Sequence, residues 1–259
     1  MALYVAATPI GNLSDASQHF RETIPLCELI LAEDTRIFRQ LLSALGLNLE
    51  SHQRVISCHG HNERSLEAKI KNSSNQNILL VSDAATPCIS DPGSTVVRYA
   101  HKYDIQIIPV AGPSALSTAV SVAGFQTKTI HYLGFPPRKS GLLRKWLIEK
   151  SALSGQLVFF ESGRRLGTTI EALQSVMSDR EICMCREMTK TFEEIVRRPV
   201  VDFSTEPVRG EVVVVVGPGA VVAQQLEQKN QIKQIAANLA ELWGITKREA
   251  YNKLMSVKP

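Results

Sequence analysis

The chain has 259 residues, 44% of them apolar and 21% charged. That length and balance suit two modest domains, burying roughly 70–75% of the unfolded surface, and exclude a disordered, fibrous or disulfide-stapled chain. A net charge of +4 is compatible with a polyanionic partner without requiring one. No apolar run approaches the roughly 20 residues that cross a bilayer, and the first residues lack the basic and apolar regions of a secretory leader, so a cytoplasmic protein is expected. Cys27, Cys58, Cys88, Cys183 and Cys185 are scattered and odd in number, unlike a disulfide framework or a zinc site. Cys183 and Cys185 alternate within an apolar run, as buried thiols of a strand do, and no metal is expected.

The first half alternates strand, loop and helix. Strands are predicted at Leu3–Ala7, Leu29–Ala32, Arg54–Cys58, Ile78–Val81 and Gln106–Val110. Helices are predicted at Ala16–Thr23 behind Asp15, Arg36–Leu45 closed by Gly46, Glu63–Asn72, Ser94–Tyr103, and Ser114–Ala123 closed by Gly124. Such alternation implies parallel strands covered by helices, an α/β domain over residues 1–113. From about Gln126 the rhythm changes. Strands at Thr129–Gly134 and Gln156–Phe160 flank a basic helix at Leu142–Ala152, and a helix follows at Arg164–Val176. Glu181–Arg186, Phe192–Arg197 and Glu211–Val216 then come with no helix between them, which implies a mixed sheet in a second α/β domain over 114–223. The tail, 224–259, has a glutamine-rich stretch followed by Ile232, Ile235, Ala236, Leu239 and Leu242 at helical spacing. Gly244-Ile245-Thr246 then leads into a second helix, with Glu249 at the capping-box position of Thr246. A nucleic-acid-binding helix-turn-helix and a structural helical hairpin both fit this small C-terminal domain.

Chemistry concentrates where the first five strands end, the edge at which α/β sheets present a crevice to ligands. Thr8-Pro9-Ile10-Gly11-Asn12 follows the first strand and is not a dinucleotide-type glycine cradle. The Ser82–Gly93 loop carries two aspartates, hydroxyls and two stiffening prolines, which suits backbone amides and a carboxylate presented to a polar ligand. Gly112-Pro113-Ser114-Ala115 opens a helix whose first N–H groups suit a carboxylate or an adenine edge. Glu33-Asp34-Thr35-Arg36 and His59-Gly60-His61-Asn62-Glu63 end the second and third strands. They are compatible with acid–base machinery, nucleic-acid contacts or a solvated ion-pair network. Basic residues recur at Arg138, Lys139, Arg144, Lys145, Arg164, Arg165, Lys247 and Arg248, which would form a phosphate track if the fold brings them together.

Leu3-Tyr4-Val5 with Thr8–Leu13, Ala32–Arg36, His61-Asn62-Glu63, Ser82–Gly93, Gly112–Ala115 and Arg186-Glu187-Met188-Thr189-Lys190 occur in an order that resembles the ribosomal RNA small-subunit methyltransferase I family, of the tetrapyrrole-methylase superfamily. The resemblance spans nearly the whole chain, including Gly244–Lys247 and Tyr251 of the tail. It implies a homodimer of two-domain subunits that uses S-adenosylmethionine to methylate the 2′-hydroxyl of a cytidine in small-subunit ribosomal RNA. By position it implies cofactor contacts from Pro9, Ile10, Gly11, Asp83, Thr86, Ser114, Ala115, Phe160 and Met188. For the chemistry the candidates are Glu33, Asp34 and Lys190, with the Glu33–Asp34 pair favoured as proton acceptor. Arg36, His61, Asn62, Glu63, Arg138, Lys139 and Arg144 are the candidate substrate contacts. Three features depart from the family pattern: Ala85 replaces a glycine, Gly163-Arg164-Arg165 replaces Pro-His-Arg, and the segment between Arg198 and Gly210 is short. Two other functions stay open: methylation of a tetrapyrrole-like small molecule, which shares the fold and cofactor but needs no basic track or helical tail, and RNA binding without turnover in ribosome assembly, which the Ala85 change keeps open.

Overall fold

A computed structural model describes residues 1–60, 62–73 and 76–256, with backbone alone at 220–231 and 256. His61 and the end of the predicted tail, 257–259, lie outside the described residues. The chain divides into two compact units, the first comprising Met1–Val122, Cys185–Ile195 and Gly210–Val213.

The first unit is built on β1 (Ala2–Ala6), β2 (Leu29–Ala32), β3 (Arg54–Ser57), β4 (Ile78–Val81) and β5 (Gln106–Val110) in the order β3-β2-β4-β1-β5. Every pairing is parallel. Its helices are α1 (Gln18–Thr23), α2 (Thr35–Ala44), α3 (Glu67–Lys71), α4 (Ser94–Lys102) and α5 (Ala115–Ala123). The continuous apolar runs of β2 and β4 are buried on both faces, as strands of a doubly covered parallel sheet must be. Leu29, Leu31, Ile78 and Leu80 pack with Leu66, Ile70, Val96 and Tyr99 on one face. Ile30, Ala32, Leu79 and Val81 pack with Phe20, Phe38 and Leu42 on the other. Truncating Leu79, which is fully buried, would cost about 2–5 kcal/mol.

Local chemistry shifts several predicted boundaries. Asn12 caps a 3-10 turn over Leu13–Asp15, and the hydroxyl of Ser17, not Asp15, accepts the Phe20 N–H to start α1. The helix predicted from Glu63 splits into a 3-10 turn, Glu63–Leu66, and the short α3.

The second unit comprises Ala123–Met184, Val196–Arg209 and Val214–Pro259. The remaining elements are β6 (Ile130–Tyr132), α6 (Ser140–Ser151), β7 (Gln156–Ser162), α7 (Gly163–Val176), β8 (Glu181–Arg186), β9 (Glu194–Pro199), β10 (Glu211–Val216), α8 (Ala220–Trp243) and α9 (Lys247–Ser256), of which β8, β9 and β10 have residues in both units. The sheet order is β6-β7-β10-β8-β9, with β6 and β7 parallel across the α6 crossover. Neighbouring β8 and β9 are joined only by 187–193, too short for a parallel crossover, so they run antiparallel and the sheet is mixed. Cys183 and Cys185 are buried in β8.

The short 198–210 segment lies against α7 at two glycines one helical turn apart. A Cβ on Gly163 would sit 2.5 Å from the Val208 carbonyl oxygen, and one on Gly167 would sit 1.8 Å from that of Thr205. The Val208 N–H donates to the Gly163 carbonyl at 3.0 Å. The 198–210 segment thus reaches the helix where no side chain stands.

The glutamine-rich stretch belongs to α8, which begins at Ala220. Gly244, at φ +63°, ends that helix, and Thr246 and Glu249 exchange capping hydrogen bonds at 3.2 and 2.9 Å. Ala236, Ala240 and Ala250, with Leu239, Ile245, Tyr251 and Leu254, make the hairpin's own small core. Among the described residues no helix is long and apolar enough to cross a membrane.

Candidate active site

Adjacent strands β2 and β4 send their connections in opposite directions, to α2 on one face of the sheet and α4 on the other. Such a switch point opens a crevice at the carboxyl ends of the strands, and the loops there are laced together. Thr8 and Ala85 exchange backbone hydrogen bonds at 2.9 and 3.1 Å. The buried Thr8 hydroxyl donates to the Ser82 carbonyl at 3.3 Å. Thr86 donates its hydroxyl to the Pro113 carbonyl at 3.0 Å, tying the β4 loop to the β5 loop. Gly112 completes the contact, because a Cβ there would lie 3.0 Å from that of Ala7. Within the β4 loop Ala85, Cys88 and Ser90 all have left-handed φ, +67°, +71° and +68°. Such conformations cost on the order of 1–3 kcal/mol each and persist where surrounding contacts over-determine them, as at ligand sites.

Carboxylates line this edge. Glu33 accepts the Asp83 N–H at 3.3 Å, and Asp83 accepts the Asp34 N–H at 2.9 Å. Burial raises the Glu33 pKa, and the charges of Asp83 and Asp34 add to it against the Asp83 hydrogen bond. Asp83 is raised too, again chiefly by burial. Asp91 is pushed up to about 6, by burial first and then by Glu33 and Asp83. Asp34 differs. It caps α2 and holds the Arg36 guanidinium at 2.6 Å, which keeps its carboxyl well below the usual range.

Asn62 and Glu63, read from sequence as substrate contacts, brace the loops. The Asn62 amide bridges the His59 N–H and the Ser57 carbonyl, at 2.8 and 2.9 Å. The buried Glu63 accepts the N–H of Gly93 at the start of α4.

A second strained turn abuts the β1 loop. Glu187 and Thr189 have φ of +48° and +63° around the buried Met188. The Thr189 hydroxyl accepts the Asn12 N–H at 3.1 Å, and a Cβ on Gly11 would lie 2.5 Å from Cγ of Lys190. Gly11 therefore serves close approach, without needing a positive φ. The Lys190 ammonium sits 2.7 Å from Glu211 and 3.2 Å from Glu187. Burial works against its charge, but both hydrogen bonds outweigh that and its pKa is raised. Its charged form is thus favoured, which suits a base role poorly. Glu187 stands three residues before Lys190 in the same turn, whereas Glu211, at the start of β10, is brought in by the fold.

The first unit therefore gathers Pro9, Ile10, Gly11, Glu33, Asp34, Arg36, Asn62, Glu63, Asp83, Thr86, Ser114, Ala115, Met188 and Lys190. Asp91, the second aspartate of the Ser82–Gly93 loop, is set apart by partial burial and by the nearby charges of Glu33 and Asp83. Phe160, Arg138, Lys139 and Arg144 belong to the second unit. There Phe160 packs edge-on between Tyr132 and Phe135, with ring centroids 5.2 and 5.6 Å away. Arg138, Lys139 and Arg144 are exposed nearby in sequence. The buried Glu161 holds Arg165 at 3.1 Å, and Arg165 donates to the Pro137 carbonyl at 2.9 Å.

Residues 2–203 match the profile of the tetrapyrrole (corrin/porphyrin) methylases. The chain belongs to the tetrapyrrole methylase family. It is, accordingly, an S-adenosylmethionine-dependent methyltransferase. The ribosomal RNA small subunit methyltransferase I of Escherichia coli O157:H7 is 36% identical over 271 residues, covering 96% of this chain and 93% of that protein. The protein of the same name from Neisseria meningitidis serogroup B is 34% identical over 248 residues, covering 93% and 82%. Among solved structures, the methyltransferase CobJ aligns with a TM-score of 0.61 at 15% identity, over 85% of this chain and 95% of that one. The uroporphyrin-III-C-methyltransferase of Thermus thermophilus aligns at 0.54 and 14%, over 87% and 97%. These two neighbours establish the methylase fold alone. The left-handed φ of Ala85 is one that glycine adopts without strain.

Proposed function

We propose that this methylase transfers a methyl group to the 2′-hydroxyl of a cytidine in small-subunit ribosomal RNA, acting in the cytoplasm as a homodimer. The observation that carries the RNA reading is the 36% identity to a ribosomal RNA methyltransferase over 96% of the chain. The tetrapyrrole-type neighbour CobJ, by contrast, shares 15%.

The residues of the first unit fit the cofactor. The first-turn N–H groups of α5 suit its carboxylate. Asp83, whose Oδ2 has no partner among the described residues, suits ribose hydroxyls. The acidic edge of Glu33, Asp83 and Asp91 complements a cation. When bound, S-adenosylmethionine supplies an electrophilic methyl on a positively charged sulfur. The chain's task is then to hold a ribose hydroxyl in line, a positioning effect worth roughly several kcal/mol, and to accept its proton as the C–O bond forms. Of the Glu33–Asp34 pair, Glu33 suits that role. Its raised pKa makes it the better base, whereas Asp34 is committed to Arg36 and the α2 cap. Arg36, almost fully exposed beyond Asp34, and the basic residues Arg138, Lys139 and Arg144 are assigned to the RNA backbone.

Tritiated methyl transfer to unmodified small ribosomal subunits, free ribosomal RNA and a tetrapyrrole tests the reading. Label in the subunit RNA, at a ribose, is expected. Label in the tetrapyrrole alone would overturn it, and binding to subunits without transfer would favour an assembly factor.

A further inference from the structure

We propose that Phe135 is a stacking platform for an unpaired base of the RNA substrate, with Arg138, Lys139 and Arg164 meeting the adjoining phosphates. The inference rests on the RNA reading above and assigns a base contact that the reading lacks.

Phe135 is 62% exposed, which leaves a phenyl face open to a partner. It is not a stray side chain. Its edge-on contact with Phe160, itself against Tyr132, makes it the outer ring of a three-ring ladder rooted in β6 and β7. The loop that presents it is rigid. Gly134 turns with φ +66° and accepts the Phe160 N–H at 2.9 Å. Pro136 is buried, and Pro137 is held by Arg165, which the buried Glu161 orients in turn. Glu161 also accepts the hydroxyl of the buried Thr169 at 2.8 Å. A rigid, exposed aromatic face loses little entropy when a base stacks on it.

Charge decides the occupant. Arg138 and Lys139 follow Phe135 by three and four residues, and Arg164 adjoins the Arg165 brace. All three are exposed, and none makes an ion pair among the described residues. An aromatic face beside unneutralised cations is how single-stranded RNA is held, by stacking with phosphate contacts. Phe192 is more exposed, at 72%, but is followed by Glu193 and Glu194, which would repel a phosphate.

The test uses the full chain carrying Phe135→Ala, Phe135→Leu or Phe135→Trp, assayed for methyl transfer to unmodified small subunits. The Ala and Leu variants are expected to raise KM for subunits about tenfold or more, and Trp to restore it. Cofactor affinity, thermal midpoint and sedimentation should not change. The Phe135→Trp protein should also show fluorescence quenching, beyond the wild-type response, on adding a short cytidine-rich single strand. Wild-type KM in the Leu variant would overturn the proposal while leaving the RNA reading intact. Weakened cofactor affinity would assign the ring to the cofactor instead, and a monomeric Ala variant would assign it to a second copy of the chain. If wild-type protein itself labels no subunit RNA, the reading and the proposal fail together.

Discussion

Ala85→Gly should stabilise the protein although it deletes a methyl group. Ala85 sits at φ +67° while its N–H and carbonyl are both bonded to Thr8, so the loop cannot relax to a right-handed conformation without losing both bonds. A left-handed L-residue costs roughly 1–2 kcal/mol. Glycine removes that cost but adds roughly 0.5–1 kcal/mol of backbone entropy on folding. The difference favours the variant by about 0.5–1 kcal/mol. Unfolding entropy scales with chain length, so for a protein of this size that is a rise of about 1–2 °C in the thermal midpoint. Ala172→Gly, the same chemical change inside α7, should do the opposite and destabilise by about 1 kcal/mol. Thermal and urea denaturation of both variants, with cofactor affinity measured alongside, provide the comparison. A fall in stability for Ala85→Gly similar to that of Ala172→Gly would refute the claim that this loop stores backbone strain.

In single-turnover methylation at saturating cofactor and subunit, Glu33→Gln should be slowed about a hundredfold or more. Asp34→Asn should keep a rate within a few-fold of wild type, and equal wild-type rates in both would leave positioning as the sole contribution. Asp91 has a folded pKa of about 6 against an ordinary 3.8. Its neutral form is therefore favoured in the fold, a contribution present in full below pH 3.8 and lost as pH rises through 6. Asp91→Asn should accordingly be more stable than wild type at pH 8, with the gap closing towards pH 4, and a pH-independent gap would contradict the assignment. Gly167→Ala should destabilise by about 1–3 kcal/mol in denaturation, since its methyl would overlap the Thr205 carbonyl. Thr246→Ala should cost about 1 kcal/mol of helix capping, read as lost α9 protection in hydrogen exchange.

Periodicity and turn chemistry were enough to read much of this fold directly. The apolar runs Leu29–Ala32 and Ile78–Val81 are central parallel strands because only strands covered on both faces bury every residue. The Thr246–Glu249 box caps its helix because capping is satisfied within a few residues. The family motifs lie at strand ends, where the strands are legible, but the bonds that hold them join distant residues, as Thr8 to Ala85 and Asn12 to Thr189. Contacts between distant segments were not legible in this way. Nothing local marks Asp91 as the carboxylate of raised pKa, Glu211 as a partner of Lys190, or Gly163 and Gly167 as the seat of the 198–210 segment. Phe135, similarly, reads as one more apolar residue just past a predicted strand. Secondary structure follows from hydrogen bonds and side-chain patterns over a few residues, and these the sequence alone determines. Burial, charge coupling and close backbone approach depend on which segments meet in space, and only the tertiary structure decides them.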